Sequence, residues 1–269
     1  MNKTMIKKIF KISVCVFLLF ISIFHQRELL SQSFIVYPGE ELLYEVDFLG
    51  IKLGSIKIVT ENVENYEGKE VYKAKAYIDS YEGIPFVDLH TIYQSWFDKS
   101  VSFTYRFVSN TKQSDNSWDY QEINPDYKTN KYRLSKYLKN NCYFNETFEL
   151  KQKANDGLSI FFLARKYTKL NRTITVPTIM DKNVDYTILT FRSKIESSTI
   201  SAVPYPIRTI YFNGEGKWKG VYGLSGYFEG WFSDDDARIP IRAKMNVYVG
   251  NINIELKSWI RPGWTPPKS

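Results

Sequence analysis

A chain of 269 residues with 43% hydrophobic and 24% charged residues has the balance of a folded globular protein, long enough to bury a core without disulfides or metals. Its net charge of +7 is concentrated at the start: Lys3, Lys7, Lys8, Lys11 and Arg27 against Glu28 leave only +3 from Ser33 onward, too weak a field for a nucleic-acid binder. Beyond residue 32 the sole Cys is Cys142 and the sole His is His90, which excludes an intrachain disulfide and the usual structural zinc site of four N or S ligands.

The basic start is followed by an apolar run from Ile9 to Phe24, broken by Lys11, Ser13 and Ser22, and then by polar residues from His25. This is the layout of a secretory signal over residues 1–32, with an uncleaved N-terminal anchor as the alternative; the run is short for a bilayer span. Export to the periplasm or cell envelope is therefore expected, with membrane contact only through this segment if it is retained. Cys15 lies inside the run between Val14 and Val16, where a lipid-modified cysteine would not stand.

Strand patterns dominate the chain beyond this segment. Leu42, Tyr44, Val46 and Phe48 alternate with polar residues, Leu49-Gly50-Ile51 is a turn, and Leu53 to Glu64 reads as a second strand. After Tyr66-Glu67-Gly68 a third strand sets Tyr72, Ala74, Ala76 and Ile78 against Lys73 and Lys75, completing a meander. Leu89 to Phe97 and Ser102 to Val108 extend the sheet. Asp115 to Pro125 is polar and reads as a long hairpin connection, and Tyr127 to Leu134 and Cys142 to Leu150 are expected to pair.

The period then changes. Leu158, Phe161, Phe162 and Arg165 follow helical spacing, so one helix is expected over 157–168, with Asn155 or Asp156 capping its first turn. Strands resume at Thr173 to Met180, Tyr186 to Ser193 and Ile207 to Phe212. The five glycines between Gly214 and Gly226 predict a loop or broken hairpin. In the closing hairpin Ile241, Ala243, Met245, Val247 and Val249 alternate with Arg242, Lys244, Asn246 and Tyr248; Gly250-Asn251 turns the chain into Ile252, Ile254 and Leu256. The reading is a mainly β chain: one antiparallel domain over 37–260, a strongly curved sheet or incompletely closed barrel with one packed helix, and an irregular tail over 261–269. Unequal strands, the intervening helix and a Pro-Pro-Lys-Ser end argue against a membrane-spanning barrel.

Several short motifs occur in a set order. Tyr37-Pro38-Gly39-Glu40-Glu41-Leu42-Leu43-Tyr44 precedes Gly54; Asp156-Gly157-Leu158-Ser159 opens the helix. Near the end come Trp231-Phe232-Ser233-Asp234-Asp235, Arg238-Ile239-Pro240-Ile241, Gly250 and Glu255-Leu256. The ordered set resembles the bacterial envelope family called domain of unknown function 3108, over nearly the whole chain after the signal. The resemblance implies an exported, sheet-rich protein and supplies no catalytic residues.

The densest carboxylate group, Ser233-Asp234-Asp235-Asp236, lacks the alternate oxygen ligands and distant Glu of a calcium loop and reads as a capped turn offset by Arg238. His90, near Asp88, lacks a positioned partner for general-base work and reads as a structural or surface residue. No metal and no cofactor are expected, and no catalytic residue is assigned. With 20 Tyr, 18 Phe and 6 Trp the chain is rich in aromatics. Trp96, Trp118, Trp218 and Trp231 are the candidates to stack on sugar rings or line an acyl-chain site, against ordinary packing. The leading expectation is a non-catalytic envelope protein that holds a lipid-like apolar ligand, a glycan or an envelope protein in the concave face. The alternatives are a hydrolase of cell-wall or polysaccharide material using two carboxylates, and a structural or assembly role.

Overall fold

Alternation of apolar and polar side chains builds almost the whole of the computed structural model, which describes residues 35–85, 87–218, 226–246 and 250–269. The strands are β1 (Glu41–Phe48), β2 (Ile51–Thr60), β3 (Glu64–Tyr66), β4 (Lys69–Ser80), β5 (His90–Asp98), β6 (Thr104–Lys112), β7 (Trp118–Asp126), β8 (Lys131–Leu138) and β9 (Asn141–Glu149). A single helix among the described residues, α1 (Ser159–Tyr167), leads to β10 (Thr173–Met180), β11 (Asn183–Ser198), β12 (Ile207–Gly216), β13 (Gly226–Ser233), β14 (Pro240–Asn246) and β15 (Asn251–Ile260).

All fifteen strands form one antiparallel sheet ordered β10-β11-β12-β13-β14-β15-β1-β2-β4-β5-β6-β7-β8-β9, with β3 on β4. The first strand thus lies in the middle of the sheet; from it the chain runs out to β9, crosses through α1 to the far edge at β10, and winds back until β15 pairs with β1. The sheet is not closed, because β9 and β10 do not pair. Ala154-Asn155 partly covers the gap: Thr104 N–H bonds Ala154 O at 2.9 Å, Asn155 N–H bonds Pro177 O at 2.9 Å, and Ile179 N–H bonds Asn155 O at 2.8 Å. Edge β9 is mostly exposed and polar, and β10 carries Pro177, both of which discourage pairing with another chain. The curved sheet with one packed helix matches the fold expected from sequence.

Helix α1 supplies the stopper of the concave side. Phe162, fully buried, stacks on Phe97 with ring centroids 5.0 Å apart, and Leu163 and Ala164 join the same core. Asp156 caps it as expected: its Oδ1 accepts the N–H groups of Leu158 and Ser159, each at 2.7 Å. Cores made by inward residues of both halves, such as Leu42, Leu134, Leu189 and Ile241, are continuous with it.

Three local expectations are corrected. Asp115 to Pro125 is not a connection: Trp118–Asp126 is a strand whose one fully buried residue is Ile123, and most of its other side chains are half-buried polar groups. The strand expected over Leu53 to Glu64 is β2, but it ends at Thr60, and Glu64 already belongs to β3. Gly214 and Gly216 are strand residues of β12; Gly214 stands opposite Phe228, and a Cβ there would come within 2.5 Å of that ring. Residues 1–34, Val247 and Val249 fall outside the described residues. The tail from Arg261 is irregular yet packed: Arg208 N–H bonds Pro267 O at 2.8 Å and Trp264 stands edge-on to Trp259.

Candidate functional site

The concave face carries an apolar trough of two adjoining lobes. In the first, of about 260 Å³, α1 presents Ile160, Phe161 and Ala164 to residues of seven strands, among them Ile58, Leu189, Phe228 and Ala243. One polar contact marks its end, where the Trp218 indole N–H donates to Thr187 Oγ1 at 2.8 Å. The buried Tyr44 hydroxyl at its wall donates to Pro240 O at 3.1 Å, and burial pushes that phenol well above its usual range. The second lobe, of about 250 Å³, is walled by Val46, Leu53, Ile78, Val87, Leu89 and Ile252. Ile56, Met245 and Ile254 line both lobes, so the two adjoin side by side along the sheet. The space exists because small residues (Gly157, Ala164, Ala243) face large ones across it.

The four tryptophans do not gather there. Trp218 lines the first lobe. Trp96 is buried on the outer face, donating to Glu64 Oε2 at 2.9 Å beneath the Arg106 guanidinium, 4.6 Å from its ring. Trp231, also outward, donates to Glu196 Oε2 at 2.6 Å and meets Tyr211 edge-on, and Trp118 is exposed at the start of β7.

Carboxylates are engaged elsewhere. Asp235 Oδ1 accepts from Ser233 Oγ at 2.8 Å and Arg238 N–H at 2.9 Å, and its Oδ2 accepts from the Trp264 indole at 2.7 Å; Asp234 holds Arg208 at 2.6 Å. This is a tied turn, and no cluster of His, Cys, Asp and Glu among the described residues could hold a metal. His90 sits between Asp79, 2.8 Å from Nδ1, and Asp88, 3.4 Å from Nε2, beside the second lobe. A larger polar hollow of about 550 Å³ on the outer face holds Tyr66, Tyr105 and Arg106, the last bound to Glu122 at 2.6 Å. In the same hollow the Lys128 N–H and Thr129 hydroxyl hold Asp126 below the usual carboxylate range. Asp156 is the one carboxyl pushed upward among those with a resolved shift. Burial is the cause, opposed by the Ser95 hydroxyl at 2.5 Å and by the Ser159 N–H.

Sequence reasoning missed the buried charges. Glu40 is fully enclosed, taking Arg165 Nη1 at 2.6 Å and Nη2 at 3.2 Å on its two oxygens, with Arg261 Nη1 also on Oε2. Arg165 Nη2 also donates to Ala237 O at 2.9 Å, and Arg238 Nη1 donates to Lys166 O at 2.8 Å. The scattered motifs Tyr37–Tyr44, Asp156–Ser159 and Arg238–Ile241 therefore converge on α1.

A family model described as "Protein of unknown function (DUF3108)" matches residues 43–257. No curated protein matches the chain. A beta-barrel-like protein of domain of unknown function DUF1849 from Brucella abortus is 10% identical, covering 82% of this chain and 96% of that one, with a TM-score of 0.58. A candidate exported protein with a YmcC-like fold from Bacteroides fragilis is 9% identical over 83% and 96% of the two chains, TM-score 0.33. A candidate lipoprotein from Parabacteroides distasonis is 13% identical over 84% and 96%, TM-score 0.35. The Brucella likeness shows a shared fold; the other two scores are too low to carry an argument.

Proposed function

The chain belongs to the DUF3108 family of proteins of unknown function, and on that footing we propose that it is a non-catalytic, exported envelope protein that holds an apolar ligand in its concave trough. The observation that carries this reading is the two-lobed trough itself. An apolar cavity of roughly 150 Å³ already accepts benzene in water, and each lobe here is larger. The elongated, side-by-side arrangement suits a chain-like ligand such as an acyl group. A glycan is disfavoured because its many hydroxyls would lose water and find few partners along walls where Trp218, Thr187 and Tyr44 are already engaged and Arg242, Asp79, Ser55 and Ser80 are the remaining polar side chains. Export is supported by the Lys-rich start and the apolar run to Phe24.

Hydrolysis finds little support. A general acid needs a raised carboxyl that reaches substrate, and Asp156 is sealed in the interior by its own hydrogen bonds. No Asp or Glu lines the first lobe, and Asp79 is the sole acid of the second.

The test is a titration with a fluorescent long-chain fatty acid, followed by displacement with unlabelled fatty acid and with a neutral oligosaccharide. Saturable binding reversed by the fatty acid alone is expected. Ala243→Trp, which fills the first lobe, should remove most of it while circular dichroism stays unchanged. Absence of binding to the wild-type chain, or full binding by the filled variant, sinks the reading.

A further inference from the structure

The antiparallel register assigns every turn to one of two rims. One rim carries the Leu49-Gly50 turn, the described part of the β4–β5 connection, the turns after β6, β8 and β10, and the ends of β12 and β14. The opposite rim carries the first and last described residues, the entry to α1 and the Glu40–Arg165–Arg261 group, and the tail packs against it.

Exposed apolar side chains are not shared equally between them. Of ten exposed large hydrophobic residues among the described ones, seven stand at the first rim. Leu49 and Ile51, 76% and 60% exposed, form the tip of the β1–β2 hairpin. Trp118 opens β7, Leu138 and Tyr143 flank the β8–β9 turn, and Tyr186 and Tyr227 lie near the starts of β11 and β13. The second lobe lies toward this rim, at Leu53 and Leu89, and the first runs from α1 and Pro240 on the opposite side up to it at Trp218 and Met245.

The Leu49-Gly50 turn is built against local preference. Both residues have positive φ, 51° and 82°, with Asp47 Oδ1 accepting the Gly50 N–H at 3.2 Å. A two-residue turn of this kind favours Asn-Gly, since a side chain such as Leu is strained in the left-handed region. Leu49 is strained there and largely exposed, so the folded monomer gives no reason for it. Exposed Glu67 and Lys139 take the same backbone with polar side chains, so what sets this turn apart is the aliphatic side chain it holds out to solvent.

We propose that this rim docks on a lipid surface, and that the trough takes up its apolar ligand there. The inference rests on the apolar-ligand reading, since a ligand suited to the trough partitions into bilayers and must be collected from one. The chemistry of the rim fits a bilayer boundary: aliphatic tips at turns, with Tyr and Trp whose rings are apolar and whose ends are polar. A protein partner would want one contiguous apolar patch, whereas here the residues are spaced along the rim between charged turn residues such as Lys139 and Asp115, 2.7 Å apart. This contact is additional to any made by the N-terminal segment.

The experiment uses vesicles of phosphatidylethanolamine and phosphatidylglycerol loaded with a fluorescent fatty acid, and follows its transfer to the full chain. Variants are Leu49→Asn with Ile51→Ser, and Ile260→Ser on the opposite rim as control. Transfer to the wild type should accelerate with vesicle concentration. The double variant should slow it by about tenfold or more, since two aliphatic contacts with lipid are lost. Its affinity for the same probe dissolved in water should not change, and Ile260→Ser should match the wild type throughout. Equal transfer by wild type and double variant, or a rate independent of vesicle concentration, overturns the docking. If no form binds the dissolved probe, the trough reading fails instead; vesicle co-sedimentation then decides the docking, which falls if the double variant sediments like the wild type.

Discussion

Glu40 and Arg165, 125 residues apart in the chain, form a bidentate ion pair from which water is wholly excluded. The pair fastens α1 to the residue that precedes β1, and Arg261 fastens the end of β15 to the same carboxylate. Removing one member of such a group leaves an uncompensated buried charge. Glu40→Gln, which strands two guanidinium groups, should cost about 3–5 kcal/mol. Arg165→Met keeps volume and leaves Arg261 to neutralise Glu40, so its loss should be smaller. Urea unfolding of both variants, compared at equal m-value, checks the order.

Asp156 gives a pH signature. Its folded pKa is raised, chiefly by burial, so the folded state holds its proton more tightly than the unfolded chain does. The stabilising contribution is complete below the unfolded pKa, near 3.9, and is lost as pH rises through the folded value. Asp156→Asn removes this dependence while its side-chain oxygen can still accept from Leu158 and Ser159. The stability of the wild type relative to the variant should therefore be greater at pH 4 than at pH 7. A difference that grows with pH would reverse the assignment.

Gly54 and Gly157 should differ sharply in their tolerance of alanine. A Cβ on Gly54 would lie 2.2 Å from the Asp79 carbonyl oxygen and 2.9 Å from Ser80 Cα, both backbone atoms of the paired strand. Gly54→Ala must push β2 from β4 and should cost on the order of 1–3 kcal/mol. At Gly157 the nearest atom is Met180 Sδ at 4.0 Å, and Gly157→Ala should stay within about 0.5 kcal/mol. Thermal unfolding of the two variants separates them.

The acidic turn should behave as structure and not as a metal site. Asp235→Ala leaves the Trp264 indole and Arg238 N–H without their acceptor and should cost roughly 1–3 kcal/mol. Asp236, whose side chain is 74% exposed and only loosely paired with Lys169, should be replaceable within about 0.5 kcal/mol. Neither calcium nor a chelator should move the melting temperature of the wild type.

The sequence was most readable where one face of a strand meets the core and the other meets water. Ala243 and Met245 line the trough while Lys244 reaches Glu229 on the outer face, as their alternation indicated. Strand β7 was unreadable because only Ile123 of its nine residues is drawn fully inward, so no period of two survives. Glu40 and Glu41 are neighbours in one motif, yet the first is sealed against two arginines and the second pairs with Lys57 on the surface at 2.6 Å. Nothing local distinguishes them; the difference lies in partners more than a hundred residues away. The helix cap at Asp156 was legible because it is local. The trough was not, since a void depends on which small residue faces which large one across the sheet.

The position of β1 has a consequence for how the chain acquires its structure in time. β1 finds one neighbour, β2, almost at once, but its other neighbour is β15, with Glu41 opposite Ile260. A ribosome delivers β15 only after every other strand of the sheet. Until then the first half carries an open hydrogen-bonding margin along its β1 edge, and Glu40 waits for Arg261, which follows β15. Truncations or stalled products would retain that margin permanently, and they are the species expected to aggregate or to require a chaperone.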